Sequence, residues 1–331
     1  MIITKTPFRI SFFGGGTDYP PWYRTHGGSV LATTIDKYCY ITCRRLPPFF
    51  EHKHRIVYSN IENVREIAEI KHPAVREVFK WANVTEGLEI HHDGDLPARS
   101  GLGSSSAFTV GLTNALHALR GKMVSKNVLA KDAIHIEQNL IGENVGSQDQ
   151  ISASYGGFNR IDFNRDDSFA VSPVIISKTR RDELQRHLLL CFTGFSRIAD
   201  EIAASQINNF SSRESELKKM FEMVDEALEI LCNEKINIDE FGKLLDQSWR
   251  YKRTLSDRVS TPQIDAIYEQ ALRSGALGGK ILGAGGGGFM LLFAKPEKHP
   301  AIRNSLNGLV HVDFSFEEFG SRVALYQPEG F

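Results

Sequence analysis

The sequence predicts a mixed α+β fold in two parts, on three observations. The N-terminal half is rich in alternating, β-branched stretches, beginning with Ile2–Phe13. The C-terminal half carries helices with clean apolar stripes, the clearest being Leu217, Met220, Phe221, Val224, Leu228 and Leu231. Between them the polar, charged stretch Asn164–Ser168 marks a change of composition, which predicts two units at 1–168 and 169–331.

Taken in order, Ile2–Phe13 is a strand that stops at the sharp turn Gly14-Gly15-Gly16-Thr17-Asp18, and Tyr19–Trp22 continues as an ordered loop. Ser29–Arg44 reads as one long strand with a break at Asp36-Lys37, ended by Pro47-Pro48. Arg55–Tyr58 is a short strand, and Asn63–Trp81 is helical with an interruption at Pro73. Gly87–His91 is a strand. After Ala107 an amphipathic helix places Phe108, Leu112, Ala115, Leu116 and Leu119 on one face. Ser125 caps a second helix, running to Ile141 with Leu129, Ala133, Ile136 and Leu140 as its stripe. A polar segment, Gly142–Gln150, leads through Ile151–Tyr155 to a Gly156-Gly157 turn and a strand at Phe158–Phe163. His187–Thr193 is nearly all apolar, which predicts a strand buried on both faces. Helices follow at Ile198–Asn209, Glu214–Asn233 and Asp239–Leu255, and another starts at Thr261-Pro262 and runs to Ser274. Lys280–Ala294 is strand, glycine loop and strand, followed by a short helix and a strand at Leu309–Phe314.

Composition narrows the function. The 331 residues are 41% hydrophobic and 24% charged, enough for a sizeable core. The net charge of −1 argues against a nucleic-acid binder or a polybasic membrane binder. The N-terminus lacks a long apolar run, and the longest such run, Phe289–Ala294, is far short of a membrane span. Cys39, Cys43, Cys191 and Cys232 form no CxxC pair, so buried free thiols in a reducing cytoplasm are the expectation.

The chemistry centres on Leu96–Ala107, LPARSGLGSSSA, between a strand and a helix. Its glycines let backbone come close to a ligand, and the helix behind it turns free N–H groups and partial positive charge into the bend. Such a place attracts phosphate. A helix cap would need one serine, whereas three follow Gly101-Leu102-Gly103, so the anion site is the preferred reading over the cap. A second cluster, Gly283–Gly288, formally contains G-x-G-x-x-G, but a strand rather than a helix follows it, which argues against a dinucleotide loop. Gly279-Lys280 is no P-loop either, because Ser274 and Ile281 stand where glycine and Ser/Thr are required. Arg9 inside a strand suits a paired group or one facing a site, or equally a solvent-facing position; Asp18 could be a turn residue. Asp149 between Gln148 and Gln150 suits a hydrogen-bonded base, or a solvated loop. Glu137 could be a cation ligand or a surface charge.

In this order, PFRISFFGGGTD, PARSGLGSSSA and KILGAGGGGF resemble the three motifs of the GHMP kinases, from near residue 5 to near residue 290. The resemblance implies an N-terminal ribosomal-protein-type β-α-β domain, a C-terminal ferredoxin-like domain, and ATP-dependent phosphorylation of a small-molecule hydroxyl. It implies that Pro97, Gly101, Leu102, Gly103, Ser104, Ser105 and Ser106 hold ATP, with Glu137 and one of the three serines, Ser105 as the candidate, on Mg2+. Asp149 is then the base for the attacking hydroxyl, and Arg9 holds Asp149 ionised and stabilises the developing charge. The variant GGGTDYP resembles the branch of heptose 7-phosphate kinases and fucokinases, implying a sugar-phosphate acceptor held by Gly15, Gly16, Thr17, Asp18, Gly156 and Gly286. Arg197, at the end of the strand before a helix, is the candidate for the acceptor's phosphate. Rival readings are a kinase for an unphosphorylated sugar and a non-catalytic ligand-binding protein of the same fold.

Overall fold

A computed structural model describes residues 1–194 and 199–329. In the first sheet, β1 (Ile2–Phe13) pairs antiparallel with β2 (Gly28–Arg45) across nearly its whole length. Between them lies the short helix α1 (Pro20–His26). Tyr38 of β2 faces Pro7 and Ile35 faces Phe8, so the predicted break at Asp36-Lys37 is a bulge within one strand. On its other edge β2 serves two partners, β6 (Phe158–Phe163) along its first half and β5 (Leu88–Gly94) along its second. β3 (His54–Val57) runs parallel to β5 and carries β4 (Ile61–Val64), while β7 (Phe169–Pro173) continues from β6. The helical reading of Asn63–Trp81 is therefore only half right. Pro73 opens α2 (Pro73–Trp81) instead of interrupting a longer helix, because a proline suits the first helical turn, where no N–H is needed.

α3 (Ser104–Leu119) lies against β1 and β2 and is covered by α2, α4 (Lys126–His135) and α5 (Gln148–Tyr155). Its residue spacing predicts one apolar face. In the fold Thr109, Gly111 and Thr113 are buried as well, and Thr4 donates to the Gly111 carbonyl at 2.9 Å. Thr109 donates to the Ser105 carbonyl one turn back in the same helix at 3.3 Å, so a hydroxyl can be buried here without breaking the helix. Ser125 caps α4 as predicted, accepting from Val128 N–H, and the helix widens to π geometry over Ile136–Ile141.

The second sheet has the order β11 (Val310–Val312), β8 (Leu188–Phe192), β10 (Phe289–Ala294), β9 (Ala276–Ile281), all antiparallel. It is buried on both faces: Leu190, Leu291 and Phe293 join one core cluster, Leu189, Cys191 and Leu292 another. Around it lie α6 (Lys178–Arg186), α7 (Ala199–Ile207), α8 (Glu214–Cys232), α9 (Asp239–Thr254), α10 (Pro262–Arg273) and α11 (His299–Ser305). The two layers share one core. The Phe241 ring of α9 meets Phe12 and Phe13 of β1 at 5.5 and 5.1 Å and Phe293 of β10 at 5.9 Å. The chain then returns to the first sheet: β12 (Phe316–Glu317) pairs with β2 and β13 (Arg322–Tyr326) with the outer edge of β1. Three strands beyond residue 168 thus complete the first sheet, so its elements are not confined to 1–168. Cys39, Cys43 and Cys191 are buried free thiols and Cys232 is an exposed one. Among the described residues no helix is long and apolar enough to cross a membrane.

Candidate active site

The two layers meet in a cleft floored by the N-terminus of α3. Gly103 is the cap position of that helix, with φ +74, and no side chain caps it. The serines therefore do not serve as caps; Ser104 instead accepts a hydrogen bond from the Arg99 backbone at 3.1 Å. Without side-chain caps, the first-turn N–H groups and the positive end of the helix remain for a ligand. Gly101, Gly103, Ser104, Ser105 and Ser106 all line the cleft.

β1 delivers Arg9 to the same place. Its backbone N–H donates to the Leu102 carbonyl at 3.0 Å, and its guanidinium donates to the Gly101 carbonyl at 2.7 Å. The other guanidinium nitrogens grip Asp149, Nε to Oδ1 at 2.7 Å and NH2 to Oδ2 at 2.9 Å. This is a two-pronged, charge-assisted pair whose arginine is buried. Asp149 does not sit in a loop: it occupies the first turn of α5, where a helix N-terminus favours an anion. Gly103 makes the arrangement possible, since a Cβ there would lie 3.2 Å from Arg9 Cγ and 3.4 Å from Asp149 Oδ2.

Asp18, Gly15 and Gly16, in the turn after β1, line the same cleft. The Asp18 carboxylate accepts from Gly16 N–H at 2.9 Å and is buried, and burial pushes its pKa above the usual carboxylate range. Gly146 lies so close to it that a Cβ would overlap the carboxylate. Glu137 lies behind Ser106, which donates to its Oε2 at 2.8 Å, and Gln150 donates to the same oxygen. Burial raises Glu137 to about 7, and its Oε1 has no partner. An orphaned, buried carboxylate oxygen next to serine hydroxyls at a phosphate-type loop fits a hard divalent cation such as Mg2+. Ser106 is the serine that reaches Glu137, while Ser105 is exposed in the cleft.

Five predicted site residues lie elsewhere. Thr17 is fully buried, and its hydroxyl joins the Gly14 and Ser29 carbonyls at 2.8 and 2.9 Å, locking the turn rather than facing the cleft. Leu102 is a core residue, and Pro97 lines a separate cavity with Leu96 and Phe289. Gly156 packs against the Phe319-Gly320 backbone, leaving no room for a sugar. Gly286 donates its N–H to the Val259 carbonyl at 2.8 Å; Gly283 and Ala284 are the cleft-lining members of that loop. Gly283 instead abuts Gly101, with a Cβ position 2.7 Å from Gly101 Cα, so both must be glycine for the loops to touch. Arg197 lies outside the described residues.

Other cleft residues escaped the sequence reading. Lys252 of α9 and Lys280 of β9 are buried and line the cleft, as do Ser11, Gln148 and Asp200. Asp200 accepts from the Asn144 backbone and side chain at 2.7 and 3.0 Å, tying α7 to the loop before α5. Lys252 left a signal in the sequence: it continues the apolar stripe Phe241, Leu245, Ser248, Trp249, where a lysine is out of place on a surface reading.

Residues 64–157 match the GHMP kinases N terminal domain and residues 228–308 the GHMP kinases C terminal domain. A D-glycero-alpha-D-manno-heptose 7-phosphate kinase from Campylobacter jejuni is 31% identical, over 96% of this chain and 97% of that protein. A bifunctional fucokinase/GDP-fucose pyrophosphorylase from Arabidopsis thaliana is 27% identical over 97% of this chain, which spans 32% of it. The crystal structure of a D-glycero-D-manno-heptose 1-phosphate kinase from Bacteroides thetaiotaomicron superposes with a TM-score of 0.80 at 22% identity, over 99% of this chain and 100% of that one, a likeness of fold. The predicted fold and family both hold: this chain belongs to the GHMP kinases, ATP-dependent phosphotransferases.

Proposed function

We propose that this enzyme phosphorylates the anomeric hydroxyl of D-glycero-D-manno-heptose 7-phosphate, giving the 1,7-bisphosphate and ADP. The observation that carries the chemistry is the Arg9–Asp149 pair beside the uncapped N-terminus of α3. The full-length similarity to a heptose 7-phosphate kinase supports the acceptor. In this reading the ATP phosphates lie against Gly101–Ser106, and Asp18, with the Gly15–Gly16 backbone, holds sugar hydroxyls. The attacking hydroxyl sits at Asp149, which takes its proton, while Arg9 balances charge on the transferring group. Mg2+, held by Glu137 with Ser106 or Ser105, supplies neutralisation of the phosphate charge. Arg197 remains the candidate for the acceptor's own phosphate.

The test is a panel of sugars and sugar phosphates with ATP and Mg2+, read by ADP release and by NMR of the product. Turnover of the heptose 7-phosphate with a new anomeric phosphate is the expected result. Turnover of only an unphosphorylated sugar such as fucose or galactose would replace the acceptor, and no turnover of any would leave a ligand-binding protein. In the same assay Asp149→Asn lowers kcat by about 100-fold or more while ATP still binds. Near-normal turnover would show that no base is used.

A further inference from the structure

We infer that Lys252, on the second layer, is a catalytic residue that contacts the phosphoryl group in transit, an inference that rests on the kinase reading above. Lys252 is 5% exposed and lines the cleft together with Arg9, Gly101, Gly103 and Asp149. Its ammonium donates to the Gly283 carbonyl, its one protein acceptor among the described residues. Gly283 abuts Gly101, and the Gly101 carbonyl takes a guanidinium N–H from Arg9. The two cations thus meet the serine loop from opposite layers, at its glycine end. The loop itself, Leu96–Ala107, contains no lysine, and its one cation, Arg99, is exposed.

An ammonium carries three N–H donors, and a buried donor without an acceptor is costly. One of the three goes to Gly283, so two remain for a ligand. The charged groups that face Lys252 are accounted for. Both Asp149 oxygens are engaged by Arg9, Asp18 Oδ1 takes Gly16 N–H, and neither carboxylate forms an ion pair with Lys252. Lys280 donates to the Phe12 carbonyl at 2.9 Å. An oxygen-rich anion beside Gly101 satisfies the free donors, and the equatorial oxygens of a transferring phosphoryl are such an anion. Burial, with Arg9 nearby, lowers Lys252 to about 8, and a bound phosphate would draw it back up.

Two measurements on the full chain test this. In steady-state kinetics with the acceptor that the wild type uses, Lys252→Met should lower kcat about 100-fold. KM for the acceptor should stay within about threefold and Lys252→Arg should recover part of the loss. The wild-type kcat/KM should fall above about pH 8, a limb that Lys252→Met lacks. In calorimetry at pH 8.5, in two buffers of different ionisation enthalpy, ATP binding to the wild type should take up roughly 0.7 proton, and Lys252→Met should take up almost none. This second measurement needs no acceptor and, through the wild-type value, stands even if the variant folds poorly. Unchanged kcat and proton uptake would overturn the role of Lys252 alone. A loss confined to acceptor KM would also overturn it, pointing to the acceptor's own phosphate. No ATP binding by the wild type would overturn the kinase reading and the inference together.

Discussion

At the residue scale, Glu137 shows how burial turns a side chain into a conditional ligand. Its carboxyl is fully buried and is raised to about 7, with burial outweighing the bonds from Ser106 and Gln150. The folded pKa lies above the unfolded value near 4.5, so the fold gains most from this group below pH 4.5. That gain disappears as pH rises through 7, a difference of about 3 kcal/mol. Glu137→Gln should therefore be about as stable as the wild type near pH 4.5 and more stable at pH 8, as read by urea unfolding at the two pH values. A divalent cation reverses the sense, because it favours the ionised form. Mg2+ should raise the wild-type Tm more at pH 8 than at pH 6 and leave Glu137→Gln nearly unmoved; equal shifts at both pH values would remove Glu137 from the cation site.

At the element scale, α3 and β1 build the site between them. The helix begins at a glycine in left-handed geometry, and the strand runs alongside so that Arg9 reaches Gly101, Leu102 and Asp149. Gly103→Ala strains φ +74 and also pushes a methyl into the Arg9–Asp149 pair. It should cost about 1 kcal/mol of stability yet lower kcat by 10-fold or more, since a small displacement of a positioned group is amplified in rate. Thermal unfolding and ADP-release kinetics on the same preparation separate the two effects. A Tm loss with unchanged kcat would mean that the pair tolerates displacement. α5 illustrates the limit of local reading. Gly142–Gln150 is polar enough to pass for a loop, but Asp149 and Gln148 open a helix whose buried face, Ile151 and Ala153, is too short to show a period.

At the scale of the molecule, both cleft walls depend on one shared core. Phe241 joins β1 to β10 through three aromatic contacts and is fully buried. Phe241→Ala should cost about 3–5 kcal/mol and lower Tm accordingly. Because α9 also carries Lys252 and β1 carries Arg9, the same variant should lose kcat more than a core mutation in one layer and off both elements, such as Ile302→Ala on α11. Comparable residual activity in the two would argue that the layers are positioned independently. The return of β12 and β13 to the first sheet has the same logic, since β13 ties the last part of the chain to β1, which holds Arg9, and β12 ties it to the neighbouring β2.

Short stretches of chain express what neighbouring residues settle among themselves. Three motifs, their order, the serine loop ahead of a helix and the helix starts at Ser125 and Thr261 were legible because each depends on neighbours within a turn or two. Arg9 and Asp18 could be named from those strings, and Asp149 from its place between two glutamines. The resemblance already implied that Arg9 holds Asp149, 140 residues away; the fold supplied the two-pronged geometry of that pair and made Thr17, Gly156 and Gly286 turn locks or packing contacts instead of cleft residues. It alone brought Lys252 and Lys280 to the cleft and returned β13 to β1. The physical reason is common to all of these. Where a side chain points is set by strand register and by layer packing over long separations, and neither leaves a local pattern in the chain.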